Sequence, residues 1–83
     1  MKEMTLEEFG RKFGRRLVQL REQSKLTQAE LAARIGFKDK QAIRRYEIKG
    51  GNPTAETLLA LAAAFDLTLL EFLDFSKLPG SEG

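Results

Sequence analysis

Residues 26–47 read LTQAELAARIGFKDKQAIRRYE, and the fold turns on them. Two short helical patterns flank Gly36-Phe37-Lys38-Asp39. In the first, Leu31 and Ile35 stand four apart, the spacing of one helix face. Gly36 follows the last apolar position and, as the residue that tolerates positive φ, ends that helix. In the second, from about Lys40 to Ile48, Ile43 and Tyr46 form an apolar pair three apart that faces back towards Leu31 and Ala32. Ala32 is small enough to let the second helix cross closely. Two short helices joined by a tight glycine-bearing turn make a helix-turn-helix. Yet Lys38, Lys40, Gln41, Arg44 and Arg45 crowd a segment that must also pack through Ala42, Ile43 and Tyr46. A two-faced helix resolves the conflict, with Ile43, Tyr46 and Glu47 inward and the long polar groups outward or along the rim.

Outside this stretch, helix starts are marked by T-x-x-E at Thr5–Glu8, Thr27–Glu30 and Thr68–Glu71. In such a box the Thr hydroxyl accepts the fourth residue's N–H while the Glu reaches back. Thr54, after Pro53, is an N-cap for a further helix. The first helix spans about Leu6 to Gln23, with Leu6, Phe9, Phe13, Leu17 and Leu20 as its apolar stripe. Gly10 and Gly14 weaken it by roughly 1 kcal/mol each relative to Ala; either they allow close approach of a neighbour or Gly10 lets the first turn bend away. Lys49–Pro53 is a loop by composition. A Leu/Ala-rich helix from Ala55 to Phe65 turns Leu58, Leu61 and Phe65 inward, and a last helix runs from Thr68 to about Phe75. The expectation is an all-α fold of five helices in one domain over residues 1–75, with a flexible tail at 76–83.

Eighty-three residues, 42% of them apolar, suffice for one small core. With no cysteine or histidine, disulfides, Cys/His metal sites and nucleophile–histidine pairs are excluded. No cofactor is implied. Nothing approaches an apolar run of about 18 residues, and the acidic, amphipathic start lacks the apolar core of a signal peptide. A soluble cytoplasmic protein is expected. The net charge of +2 hides a segregation: residues 11–49 carry twelve Lys/Arg against four Asp/Glu, while residues 50–83 carry one Lys against five acids. Segregated charge speaks to partners. By itself it leaves open both a polyanion and simple solvation of helix faces.

LTQAELAARIG, then AIRRYE, then NPTAETLLALAAAFDLTLLEFL together resemble the Xre/Cro-like family, the DNA-binding domain of lambda-type repressors and many bacterial regulators. The likeness covers roughly Phe13 to Leu73. It implies a five-helix, lambda repressor-like fold whose third helix reads the major groove of duplex DNA. One departure lies in the turn, where seven residues, FKDKQAI, replace the family's six between the glycine and the isoleucine. Counting back from Ile43 puts Asp39 at the N-cap, so the extra residue is Phe37 or Lys38.

The resemblance assigns Lys40, Gln41 and Arg44 to base edges and Arg45 to a base or a phosphate. Gln28 matches the family's phosphate-holding glutamine, Lys38 is a candidate phosphate contact, and Lys49 to Asn52 form the loop that meets the DNA backbone. Arg21 and Glu47 match a structural ion pair between the first and third helices. Arg11, Lys12, Arg15 and Arg16 read as a solvated helix surface. Leu67, Leu69, Leu70, Phe72, Leu73 and Phe75 are too many apolar residues for one short helix to bury internally, so a homodimer surface is expected there, with Leu59 a further member. A repressor of a two-fold symmetric operator is the leading expectation. Alternatives are an antitoxin that grips its toxin through residues 1–12, or a protein-interaction module that binds no DNA. An enzyme is the weakest reading, because Glu7, Glu8 and Glu22 lie on an exposed helix with no pocket suggested.

Overall fold

The computed structural model describes residues 3–80. Five α-helices follow one another: α1 Leu6–Gln23, α2 Gln28–Arg34, α3 Gln41–Lys49, α4 Ala55–Ala64 and α5 Leu69–Phe72, then a 3-10 turn at Phe75–Lys77. No strand occurs among the described residues. The helix starts are made by local bonds. The Thr5, Thr27 and Thr68 hydroxyls accept the N–H of Glu8, Glu30 and Glu71 at 3.0, 3.0 and 3.1 Å. Each glutamate accepts the threonine N–H in return. These bonds, first of all to the backbone N–H, hold the three carboxyls below the ordinary glutamate pKa.

Three helix ends share one device. After α2, Phe37 N–H reaches back to Ala32 O and Gly36 N–H to Ala33 O, with Gly36 at φ 83°. This is the Schellman arrangement that satisfies orphan carbonyls. Lys25 after α1 and Asp66 after α4 take the same role at φ 57°, without being glycine.

The core is built from Phe13, Leu17, Leu31, Ile43, Leu61 and Phe72, all fully buried, with Ala32 and Ala62 between them. Each such large side chain contributes about 1.5–3 kcal/mol by leaving water. Phe13 ties three elements together, its ring meeting Tyr46 edge-on at 5.4 Å and Phe72 at 6.1 Å. Gly10 and Gly14 let α1 come close to its neighbour. A Cβ at Gly14 would lie 2.5 Å from Tyr46 O on α3, and one at Gly10 would lie 2.9 Å from Gly51 O.

The C-terminal region departs from the expectation in three ways. First, α5 stops at Phe72 rather than Phe75. The Asp74 carboxylate accepts the Ser76 N–H at 3.2 Å and the Ser76 hydroxyl at 2.5 Å, a local bond set that competes with helix continuation and starts the 3-10 turn. Second, Phe72 is core and cannot belong to a dimer surface. Third, residues 76–80 are not a loose tail: Leu78 is buried, Gln19 Nε2 donates to Lys77 O at 2.8 Å, and Arg15 Nη2 donates to Pro79 O at 2.7 Å. The remainder of the expected tail, 81–83, lies outside the described residues, as do the first two residues of the N-terminal segment.

Arg16 also leaves the class in which its charge placed it. It is buried, and its guanidinium donates Nε to Phe72 O at 2.8 Å, Nη2 to Glu71 O at 2.7 Å and Nη1 to Gln19 Oε1 at 2.7 Å. Among the described residues Phe72 O has no backbone partner and Glu71 O takes the Asp74 N–H at 3.3 Å, and a cation with several donors reaches both from α1.

Candidate nucleic-acid interface

Nine residues make α3, and its two faces differ in kind. Ile43 is buried, and Tyr46 and Glu47 are partly so. Gln41, Arg44, Arg45, Ile48 and Lys49 are exposed, as are Lys38 and Lys40 just before the helix. No carboxylate among the described residues pairs with Lys38, Lys40, Arg44, Arg45 or Lys49. Arg45 lies 5.8 Å from the Tyr46 ring, within cation–π range, which draws it towards the rim. Ile48 was not singled out by sequence, yet it is 64% exposed on the same face as Gln41 and Arg44, seven and four residues earlier. Its helical register carried that signal.

The helix start differs by one residue from the sequence count. Lys40 is the capping residue, with helical φ and ψ and no side-chain bond. Asp39 still caps, its Oδ1 accepting Gln41 N–H at 2.9 Å from one position earlier. Phe37 packs against the core, so the slack of the longer turn falls at Lys38, which is exposed. Beyond α3, Gly50 turns at φ 73° beneath α1, and Lys49 and Asn52 stand exposed on either side of the glycine pair.

Behind the cationic face lies a bonded cluster. Arg21 donates Nε and Nη2 to Glu47 Oε2 and Oε1 at 2.6 and 3.1 Å, the two-pronged geometry of a strong charge-assisted pair. Arg21 Nη1 also donates to Leu26 O at 2.9 Å. Gln28 Nε2 donates to Glu47 Oε1 at 2.8 Å. The Glu47 bond raises the Arg21 pKa above its ordinary value against the opposing effect of burial. Arg21 thus ties α1 to α3 with its side chain 16% exposed, and Gln28 stands half-buried at the first position of α2. The bond between Gln28 and Glu47 had no local sequence signal, because nineteen positions separate the two.

A helix-turn-helix family model matches residues 17–72, which take in α2 to α5 and the second part of α1. The chain belongs to the Xre/Cro-like helix-turn-helix family. Members of this family are DNA-binding transcription regulators rather than enzymes. Among solved structures, the chain is similar to the restriction-modification controller protein C.AhdI from Aeromonas hydrophila. The two are 33% identical with a TM-score of 0.69, over 76% of this chain and 94% of that one. It is also similar to a chain of the SinR protein/SinI protein complex, at 26% identity and a TM-score of 0.68, over 78% of this chain and 63% of the other. An HTH_3 family transcriptional regulator from Vibrio cholerae shares the fold at 23% identity and a TM-score of 0.76, over 87% of this chain and 41% of its own. No curated protein matches the chain. No helix of this helix-turn-helix protein, among the described residues, is long and apolar enough to cross a membrane.

Proposed function

We propose that this protein represses transcription in the cytoplasm by occupying a two-fold symmetric DNA operator as a homodimer, with α3 in the major groove. The observation that carries the reading is the outward face of α3, a row of unpaired cations and one free amide over a buried apolar face. Base edges in the major groove offer acceptors to Arg and Lys and a donor–acceptor pair to Gln. Lys40, Gln41 and Arg44 take base edges, and Arg45 takes a base or a phosphate. Gln28, Lys38, Lys49 and Asn52 take the phosphate backbone, which positions rather than specifies. Support for the dimer comes from Leu70 and Leu59, 83% and 55% exposed. Leu69, Leu73 and Phe75 are partly buried beside them in the chain order of α5 and its turn. Two reading heads across a two-fold axis address half-sites about 34 Å apart. A second reading, a protein partner such as a toxin held at the N-terminal end, draws on the exposed Met4 and Leu6.

Selection from a randomised duplex pool at two salt concentrations tests the reading. An enriched two-fold symmetric sequence, bound with affinity that falls steeply in salt, is the expected outcome. Arg44→Ala then relaxes one base position by about 1–3 kcal/mol. Weak binding at both salts with no enriched sequence would end the regulator reading.

A further inference from the structure

Glu47 carries a sidechain only 6% exposed, and it receives three hydrogen bonds, two from Arg21 and one from Gln28. A carboxylate only accepts, so the Gln28 amide can meet it only through nitrogen. That decides which way round the amide lies. One Nε2 proton is held by Glu47, Oε1 is turned from the carboxylate, and the second Nε2 proton is left to donate elsewhere. Arg21 fixes the ground on which Gln28 stands, because its bond to Leu26 O pins the chain immediately before the α2 cap, Thr27.

We propose that Glu47 is a positioning residue for nucleic-acid backbone binding, holding the Gln28 amide so that its free N–H meets a phosphodiester oxygen. The inference rests on the DNA-binding reading above. Glu47 itself touches no DNA. Its effect is independent of base sequence, because every phosphodiester presents the same acceptor.

Charge and positioning predict opposite signs. Removing a carboxylate near a polyanion strengthens binding if only the field of the protein matters. Glu47→Gln keeps the shape and removes the charge, and its amide offers Gln28 either an oxygen or a nitrogen, so the orientation of Gln28 is no longer set. Positioning therefore predicts weaker binding in spite of the lost negative charge.

The test measures wild type, Gln28→Ala, Glu47→Gln and the double variant on a duplex selected by the wild type and on an unrelated duplex, across a salt series, with folding checked by circular dichroism. Gln28→Ala and Glu47→Gln are each expected to weaken both duplexes by about two- to tenfold. The salt slope is unchanged, because a neutral amide releases no counterion. The double variant is no weaker than Gln28→Ala alone, as expected of residues acting through one contact. Glu47→Gln binding as tightly as wild type, or single losses that multiply in the double variant, would overturn the inference. Amide spectra of the wild type decide the matter should Glu47→Gln fail to fold. The two Nε2 protons of Gln28 should be distinct, one keeping its shift when duplex is added and the other moving; loss of the first or stillness of the second refutes the proposal. A wild type that binds neither duplex sinks the regulator reading and this inference together, whereas a binding wild type with indifferent variants sinks this inference alone.

Discussion

Replacing Gly14 by alanine would ordinarily help a helix, and here it should do harm. In an isolated helix the exchange gains about 1 kcal/mol. In this fold the new Cβ would stand 2.5 Å from Tyr46 O, where ordinary contact begins at 3.4 Å, so α1 and α3 must part by about 0.9 Å. Neither side gives easily. Phe13 and Leu17 hold α1 in the core on either side of the site. Tyr46 O accepts the Gly50 N–H at 2.8 Å and loses that bond if it swings away. Overpacking of this kind costs about 1–3 kcal/mol, and the strained bond about 1 kcal/mol more. Set against the propensity gain, Gly14→Ala should lose about 1–3 kcal/mol, a large share of what holds so small a domain together. At about 4–8 °C per kcal/mol, the melting temperature should fall by roughly 4–24 °C. Circular dichroism through a thermal and a urea transition measures it. Gly36→Ala is the control: it meets no atom within 4 Å and suffers only its φ of 83°, for a cost of about 1–2 kcal/mol. A Gly14→Ala protein as stable as wild type would refute the close contact of α1 with α3.

Arg16→Met leaves Phe72 O without a donor and Glu71 O with the Asp74 N–H at 3.3 Å, and should cost about 1–3 kcal/mol in urea unfolding; a loss below about 0.5 kcal/mol would mean that Phe72 O finds another partner. Stability should be full above the ordinary glutamate pKa of 4.5 and fall as pH drops through the lowered values of Glu8, Glu30 and Glu71, because protonation in the folded state must break the capping bonds. Glu30→Gln should flatten part of that slope, and an unaltered slope would show that other carboxylates cause it. Leu70→Lys, at a side chain 83% exposed, should leave the monomer's stability within about 0.5 kcal/mol and shift sedimentation from dimer to monomer; an unmoved oligomeric state would remove α5 from the dimer interface.

Much of this protein was legible because its signals are local. A capping box closes between residues three apart, so Thr5, Thr27 and Thr68 mark helix starts without reference to the rest of the chain. Gly36 marks a helix end by the backbone angle it alone takes freely, and the two faces of α3 follow from its register. The order of those local signals led to the five-helix family, and with it to the face that the proposed function uses.

What the chain could not announce were choices among distant partners. Gly10 suits a bend or a close crossing equally well until Gly51 O is placed against it. Arg16 reads as one more surface cation beside Arg11 and Arg15, and only packing brings it to Glu71 and Phe72, 55 and 56 positions away. Residues 76–80 have the composition of a tail, yet Leu78 finds a pocket on the body and α1 supplies donors for the carbonyls. Gln28 and Glu47 lie on different helices, and their bond exists because the turn between α2 and α3 brings those helices together. Sequence determines what each short segment prefers, since those bonds form within a turn of chain. Tertiary structure decides which buried donor meets which acceptor, since that depends on how all five helices fill one core.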